Sequence, residues 1–246
     1  MTTQHLSTYP QVRRLFPSPA DAVSLLDAYD VPRPQPVGRP WIGLCMVSSL
    51  DGSTVVGGVA QGSSRLLSDP TDQQLLLTLR SLADVILVGA STVRREGYGP
   101  PRQPGLKVAV VSRTAQFDFD GPLWKSGRAM LLLAEDAVAV PVPSIRAGRG
   151  DLDLAAAVAQ LDATFVQAEG GPSLNGLLAA ADLIDELNLS LSPQIVGGDG
   201  PRVTSMAPPV ASRMQLAHVL EHEGFLFTRY LRNRSTEAAP SHGRSE

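Results

Sequence analysis

The stretch Val85-Ile86-Leu87-Val88-Gly89-Ala90-Ser91-Thr92-Val93-Arg94-Arg95 decides the fold class of this chain. Four consecutive apolar residues suit a strand buried on both faces, and the glycine after them permits close backbone approach. A Ser or Thr at 91 or 92 then reads as the cap that opens a helix. Strand, tight turn and helix in direct succession are the repeating unit of an α/β sheet. Amides at such a helix start, reinforced by the helix dipole and by Arg94 and Arg95, suit a bound phosphate. An ordinary capped helix accounts for the same residues, so both readings stay open here.

The alternation continues on either side. Upstream, the apolar run Trp41–Val47 predicts a strand and the pattern over Thr71–Leu82 a helix. Downstream come strands at Lys107–Val111 and Ala129–Leu133, a helix near Leu152–Leu161, a strand at Thr164–Gln167, a helix at Pro172–Ala181 and a strand at Glu186–Leu191. This order predicts a mostly parallel central sheet with helices on both faces. Two later β-like stretches, Met214–Leu220 and Gly224–Leu231, predict a closing C-terminal antiparallel hairpin. Three regions result: a Pro-rich N-terminal arm over 1–40, one catalytic domain over 41–232, and a polar, disordered tail over 233–246. Within the arm, Ala22, Leu25, Leu26 and Tyr29 fall at helical spacing, which predicts a short helix over Pro19–Tyr29.

Composition excludes several classes of function. Against 24 Asp and Glu stand 21 Lys and Arg, a net charge of −3 that draws the chain neither to nucleic acid nor to an anionic membrane. The one cysteine, Cys45, lies inside an apolar run and reads as a small buried hydrophobe, so neither a disulfide framework nor a paired metal clasp is expected. Met1–Pro10 is polar, and no apolar run approaches the length of about 18 residues that a membrane span needs. A cytoplasmic protein without bound metal is the expectation.

Three further segments carry chemistry. Ser48-Ser49-Leu50-Asp51-Gly52-Ser53 follows the first strand, where strand ends open onto a ligand crevice, though a plain surface turn reads the same way. Gln167-Ala168-Glu169-Gly170-Gly171-Pro172-Ser173-Leu174 runs from a strand through paired glycines to Pro at the first helical position. Bare backbone at such a turn admits a pyrophosphate. Val108-Ala109-Val110-Val111-Ser112-Arg113-Thr114 ends a strand in a hydroxyl and a guanidinium, suited to a ribose 2′-phosphate or, equally, to a solvated loop. Two anion-friendly turns suggest a dinucleotide, yet neither Gly-x-Gly-x-x-Gly nor Gly-x-x-x-x-Gly-Lys-Ser/Thr occurs, which disfavours a conventional Rossmann enzyme or P-loop kinase.

Taken in order, these residues resemble the reductase domain of the riboflavin-pathway deaminase-reductases, itself similar to dihydrofolate reductase. The resemblance runs from about Trp41 to Leu231. It rests on Met46-Val47-Ser48-Ser49-Leu50-Asp51-Gly52, on Gly62-Ser63-Ser64 with Ser68-Asp69-Pro70 and Leu79-Arg80, and on Asp84 to Gly89 with Thr92-Val93. Glu169 to Leu174, Asp185-Glu186-Leu187, Ser192-Pro193 and Gly197-Gly198 complete it. It implies a dihydrofolate-reductase-like α/β fold and NADPH-dependent reduction of 5-amino-6-(5-phosphoribosylamino)uracil. By position it implies cofactor contacts from Gly89, Ser91, Thr92 and Val93, a diphosphate site over Glu169, Gly170, Gly171, Pro172, Ser173 and Leu174, and a 2′-phosphate site at Ser112 and Arg113. Ser48, Ser64 and Arg65 would face the substrate, and Asp51 is the candidate to orient a water or donate the proton.

Departures from the family pattern bear on the substrate. Ser53 stands where a cation is common, and Arg94-Arg95-Glu96-Gly97-Tyr98-Gly99-Pro100-Pro101-Arg102 replaces an acidic Asp-Asp-Pro element. Arg65, Arg94, Arg95 or Arg102 would then supply the missing positive charge. No His-x-Glu with Pro-Cys-x-x-Cys occurs, so a zinc deaminase half is not expected. A dihydrofolate or pterin reductase is the runner-up, and a non-catalytic NADPH-binding relative the third reading. The small-molecule heterocycle is the only expected partner besides a second copy in a homodimer, joined through the Pro-rich arm and the C-terminal hairpin.

Overall fold

The computed structural model describes residues 10–58, 62–205, 208–209 and 211–234. The chain opens with β1 (Gln11–Phe16), β2 (Ala20–Ser24), α1 (Leu25–Tyr29) and β3 (Trp41–Ser48). Then follow α2 (Pro70–Leu82), β4 (Val85–Gly89), α3 (Ala90–Glu96), β5 (Lys107–Val111), α4 (Pro122–Lys125), β6 (Ala129–Leu133) and β7 (Ser144–Arg146). The last third holds α5 (Leu154–Ala159), β8 (Phe165–Ala168), α6 (Pro172–Ala180), β9 (Glu186–Leu191), β10 (Met214–His222) and β11 (Phe225–Arg232). Eleven described strands make one sheet in the order β2-β1-β10-β11-β9-β3-β8-β4-β5-β6-β7. From β9 to β7 every pairing is parallel, and from β9 outward to β2 every pairing is antiparallel.

Alternating residues of the parallel strands feed cores on opposite faces. Ile42, Leu44, Leu87 and Val166 pack with Ala157 of α5 and Leu174 and Leu178 of α6. Ile86, Val88, Val108 and Leu131 face the other way, against Val93 of α3 and Trp124 of α4. A third cluster joins Leu25 and Tyr29 of α1, Leu75 and Leu79 of α2, and Phe227 of β11. Burial on both faces is why β4 reads as an unbroken apolar run rather than an alternating one. In α2, the Asp69 side chain accepts the Asp72 amide at 2.7 Å and Pro70 occupies the first turn. Such a cap contributes about 1 kcal/mol and sets where the helix begins.

The N-terminal segment departs from expectation. In place of one helix over Pro19–Tyr29, Ala20–Ser24 forms β2, and the Ser24 hydroxyl accepts the Asp27 amide at 3.0 Å to start α1 at Leu25. The supposed arm supplies β1 and β2 to the sheet, because β10 exposes an edge that β1 pairs. The C-terminal hairpin forms as expected, tighter than read, with a two-residue turn at Glu223 (φ +47°) and Gly224 (φ +83°). The expected disordered tail also starts too early. Arg234 donates to Asp185 at 2.5 Å, and residues 235–246 lie outside the described residues.

Candidate functional site

Parallel strands all present their carboxyl ends on one edge, and that topology gathers the motifs. β3 ends at Ser48, β4 at Gly89, β5 at Val111 and β8 at Ala168. Gly89 caps α3 with backbone alone, so the expected Ser or Thr cap is absent and Ser91 and Thr92 lie within the first turn instead. The Gly89 amide donates to Gly170 O at 2.8 Å, which draws the two glycine turns together. Gly170 has φ +88°, and the peptide between Gly170 and Gly171 is cis. A Cβ on Gly171 would sit 2.9 Å from Thr92 Oγ1, so side chains are excluded where the two helix starts meet. Bare backbone at two adjoining strand-to-helix turns is the kind of surface that suits a phosphate group.

Beside these turns opens a cleft of about 1360 Å³, lined by Ser64, Arg65, Asp72, Arg80, Tyr98 and Glu169 over a floor that includes Cys45 and Val47. The cleft selects among the four arginines proposed for a phosphate: Arg65 and Arg102 border it, whereas Arg94 and Arg95 are not among its lining. Arg94 reaches instead to Gln116 O and over the Phe117 ring. Arg65 is tethered by Glu96 at 3.3 Å yet stays 73% exposed at its side chain.

Several expected site residues stand elsewhere. Asp51 is exposed and does not line the cleft. It accepts from Ser49 Oγ at 2.5 Å and from the Gly197 amide at 2.7 Å. Those two hydrogen bonds, led by Ser49, hold its pKa below the ordinary carboxylate value. Asp51 thus clamps two loops together outside the lining of the cleft. Ser48 is buried at the end of β3, its carbonyl accepting the Ser192 amide at 2.8 Å. Val93 and Leu174 place their side chains in the core and leave only backbone for a ligand. Ser112 Oγ caps the Ala115 amide at 3.0 Å, and Arg113 beside it is exposed at the end of β5. Pro172 and Ser173 open α6 directly after the glycine pair.

Glu169 is the largest revision. Its carboxylate is 5% exposed and takes both arms of Arg80, Nε and Nη2, at 2.6 Å each, with the Tyr98 hydroxyl donating to the same group. A carboxylate so engaged offers a diphosphate its backbone only. Burial leads the upward displacement of the Tyr98 pKa, with the Glu169 charge adding to it.

Asp72 was overlooked. It is 8% exposed at the foot of the cleft, with the Ser68 hydroxyl donating to it at 2.5 Å. Burial pushes its pKa up, and no cation is among the groups that act on it. The signal was in the helical spacing: Asp72 shares a face with Leu75 and Leu79, so a carboxylate stood in the apolar stripe. Among the described residues no cluster of three or more His, Cys, Asp or Glu could hold a metal. No described helix is long and apolar enough to cross a membrane.

Parallel strands ending at paired glycine turns beside a cleft lined by polar and apolar side chains define an α/β protein of the dihydrofolate-reductase-like type. Residues 40–224 match the model of the family described as RibD C-terminal domain, and the chain belongs to that family. It is 24% identical over 189 residues to the riboflavin biosynthesis protein RibD of Escherichia coli, covering 66% of this chain and 50% of that protein. It thus spans half the length of that relative. To the 2,5-diamino-6-ribosylamino-4(3H)-pyrimidinone 5′-phosphate reductase of Methanothermobacter thermautotrophicus it is 26% identical over 208 residues, covering 74% of this chain and 94% of the relative. Among solved structures, a pyrimidine reductase-like protein of Corynebacterium diphtheriae aligns with a TM-score of 0.73 at 24% identity, over 86% of this chain and 100% of the other. The riboflavin biosynthesis reductase of Saccharomyces cerevisiae aligns at 0.66 and 17% identity, over 82% and 93%. These likenesses establish the fold.

Proposed function

We propose that this chain is a reductase of riboflavin biosynthesis, acting on a 5-phosphoribosylamino-pyrimidine with NADPH. The observation that carries this reading is the juxtaposition of the Gly89 and Gly170-Gly171 turns with a cleft bordered by Arg65 and Arg102. Gly89, Ser91 and Thr92 with Gly170, Gly171, Pro172 and Ser173 would hold the dinucleotide, and Arg113 with Ser112 its 2′-phosphate. When bound, NADPH supplies the hydride. In the sugar, C1′ gains that hydride while the C1′–O4′ bond breaks, and O4′ must receive a proton. Asp72, which lines the cleft and whose pKa burial raises, would give it. Arg65 and Arg102 offer the positive charge that a 5′-phosphate needs across the cleft mouth.

A dihydropterin reductase is the second reading, and Asp72 is the observation in its favour, because a protonated carboxyl serves a ring imine nitrogen equally well. The two divide on phosphate. The deciding test is NADPH oxidation, followed by its near-ultraviolet absorbance, with the phosphoribosylamino-pyrimidine and dihydrofolate offered in parallel. Preference for the phosphoribosyl compound supports the first reading, and equal or better turnover of dihydrofolate overturns it.

The proposal includes a cytoplasmic homodimer. Leu187, Leu189, Leu191, Leu226 and Tyr230 form a half-buried apolar row on β9 and β11, paired across the strands as Leu191 with Leu226 and Leu187 with Tyr230. A two-fold copy of the same face would cover it. Sedimentation at the monomer mass would remove this part of the reading.

A further inference from the structure

The segment that replaces the family's acidic element places one tyrosine where neither the fold nor the proposed chemistry requires it. Tyr98 follows α3, lines the cleft, and bonds Glu169, the residue directly before the glycine turn. Resting on the pyrimidine-reductase reading above, we propose that Tyr98 sets the specificity of this cleft: its hydroxyl occupies the Glu169 acceptor and exchanges there with ring N–H donors of the substrate.

The hydrogen-bond inventory carries the argument. An ionised carboxylate has about four acceptor positions. At Glu169, Arg80 Nε takes one on Oε1, and Arg80 Nη2 and the Tyr98 hydroxyl share Oε2. The two Arg80 arms form a bidentate, charge-assisted pair, and separating them would strand opposite charges in a site where Glu169 is 5% exposed. Tyr98 is the one neutral donor, and its oxygen keeps a second partner, Arg80 Nη2 at 2.9 Å, after it releases Glu169. It is therefore the member of the set that leaves at least cost.

Position supports the exchange. The segment that carries Tyr98 is bounded by Gly97 (φ +62°) and Gly105 (φ +82°), and a Cβ on either would meet nothing within 4 Å. A ring that offers an N–H replaces the phenol bond for bond. A ring without a donor leaves Tyr98 in place on Oε2, which Arg80 and the phenol then keep occupied. Selectivity then comes from the unequal cost of leaving a buried acceptor satisfied or unsatisfied.

The test is calorimetric titration of the full chain and of Tyr98→Phe, without nicotinamide. The probes are 2,5-diamino-6-ribosylamino-4(3H)-pyrimidinone 5′-phosphate, its ring N-methylated analogue and dihydrofolate, with NADPH titrated separately. Removing the hydroxyl vacates one acceptor without disturbing packing, so the pyrimidinone binds roughly five-fold tighter, the gain of about one neutral hydrogen bond. The methylated analogue and NADPH bind as before. A Tyr98 that merely anchors its loop would instead weaken every ligand when cut back. Unchanged or weaker pyrimidinone binding in Tyr98→Phe overturns the exchange. A gain confined to dihydrofolate overturns the proposed substrate and leaves the exchange standing, and a chain that binds none of the rings overturns both.

Discussion

Two buried carboxylates occupy the same side of the sheet and are treated in opposite ways. Glu186, at the junction of the parallel and antiparallel halves, is fully buried and accepts from Arg33, Arg229, Trp41 Nε1 and Asn188 Nδ2 at 2.9–3.2 Å. Burial by itself would raise its pKa, but the two guanidinia outweigh it and hold the value at about 2. Asp72 has the Ser190 and Ser68 hydroxyls beside it and no cation, and burial raises its pKa. The sealed carboxylate is fully compensated and locks strands together, whereas the one at the cleft is left short of charge, and burial displaces its pKa upward. Incomplete compensation is the mark of a working group rather than a structural one.

The largest effect should come from breaking the compensated site. Glu186→Gln leaves Arg33 and Arg229 buried without their counter-charge, and urea unfolding should show a loss of about 3–5 kcal/mol. A loss under about 1 kcal/mol would mean that the polar network tolerates an uncharged centre and that the contrast with Asp72 is overdrawn.

Asp72→Asn should act in the reverse sense. Turnover should fall about 100-fold, the usual scale for removing a general acid, while NADPH affinity stays put. Stability should not fall. A carboxyl whose folded pKa is raised stabilises the fold only while protonated, and that contribution is lost as pH rises through the folded value. Wild type and variant should then match in thermal unfolding near pH 4, and the variant should melt higher at neutral pH. Full activity in the variant would return the proton donor to an unidentified group, and a lower melting temperature at neutral pH would show that Asp72 is compensated after all.

Arg113→Ala sharpens the comparison at the cofactor side with the smallest effect. An exposed guanidinium at a strand end should contribute about 1–3 kcal/mol to a 2′-phosphate and nothing to a cofactor that lacks one. Fluorescence titration should show NADPH weakened and NADH unchanged, and equal loss for both would remove Arg113 from the site.

Local pattern carried the parallel half of the molecule. The apolar runs at 85–88 and 107–111, the alternating stretch at 186–191 and the paired glycines at 170–171 each announce their element, because their physics is contained within a few neighbouring residues. The hairpin at Glu223-Gly224 was legible for the same reason. β1 and β2 were not, since a strand that exists by pairing the edge of β10, two hundred residues away, has no local period strong enough to separate it from a helix. β7 and α4, at three and four residues, fall below the length at which periodicity can be read.

The candidate site divides along the same line. The sequence by itself determined the family, the strand-end motifs and the two glycine turns, because backbone freedom and strand length are properties of single residues and short runs. Only the tertiary structure decided which charged groups meet: that Arg80 reaches Glu169 across 89 positions, that Asp51 clamps a loop 146 positions away, and that Asp72 faces the cleft with no cation among the groups acting on it. A side chain's protonation and reach depend on what the fold packs against it, and those neighbours are distant in the chain.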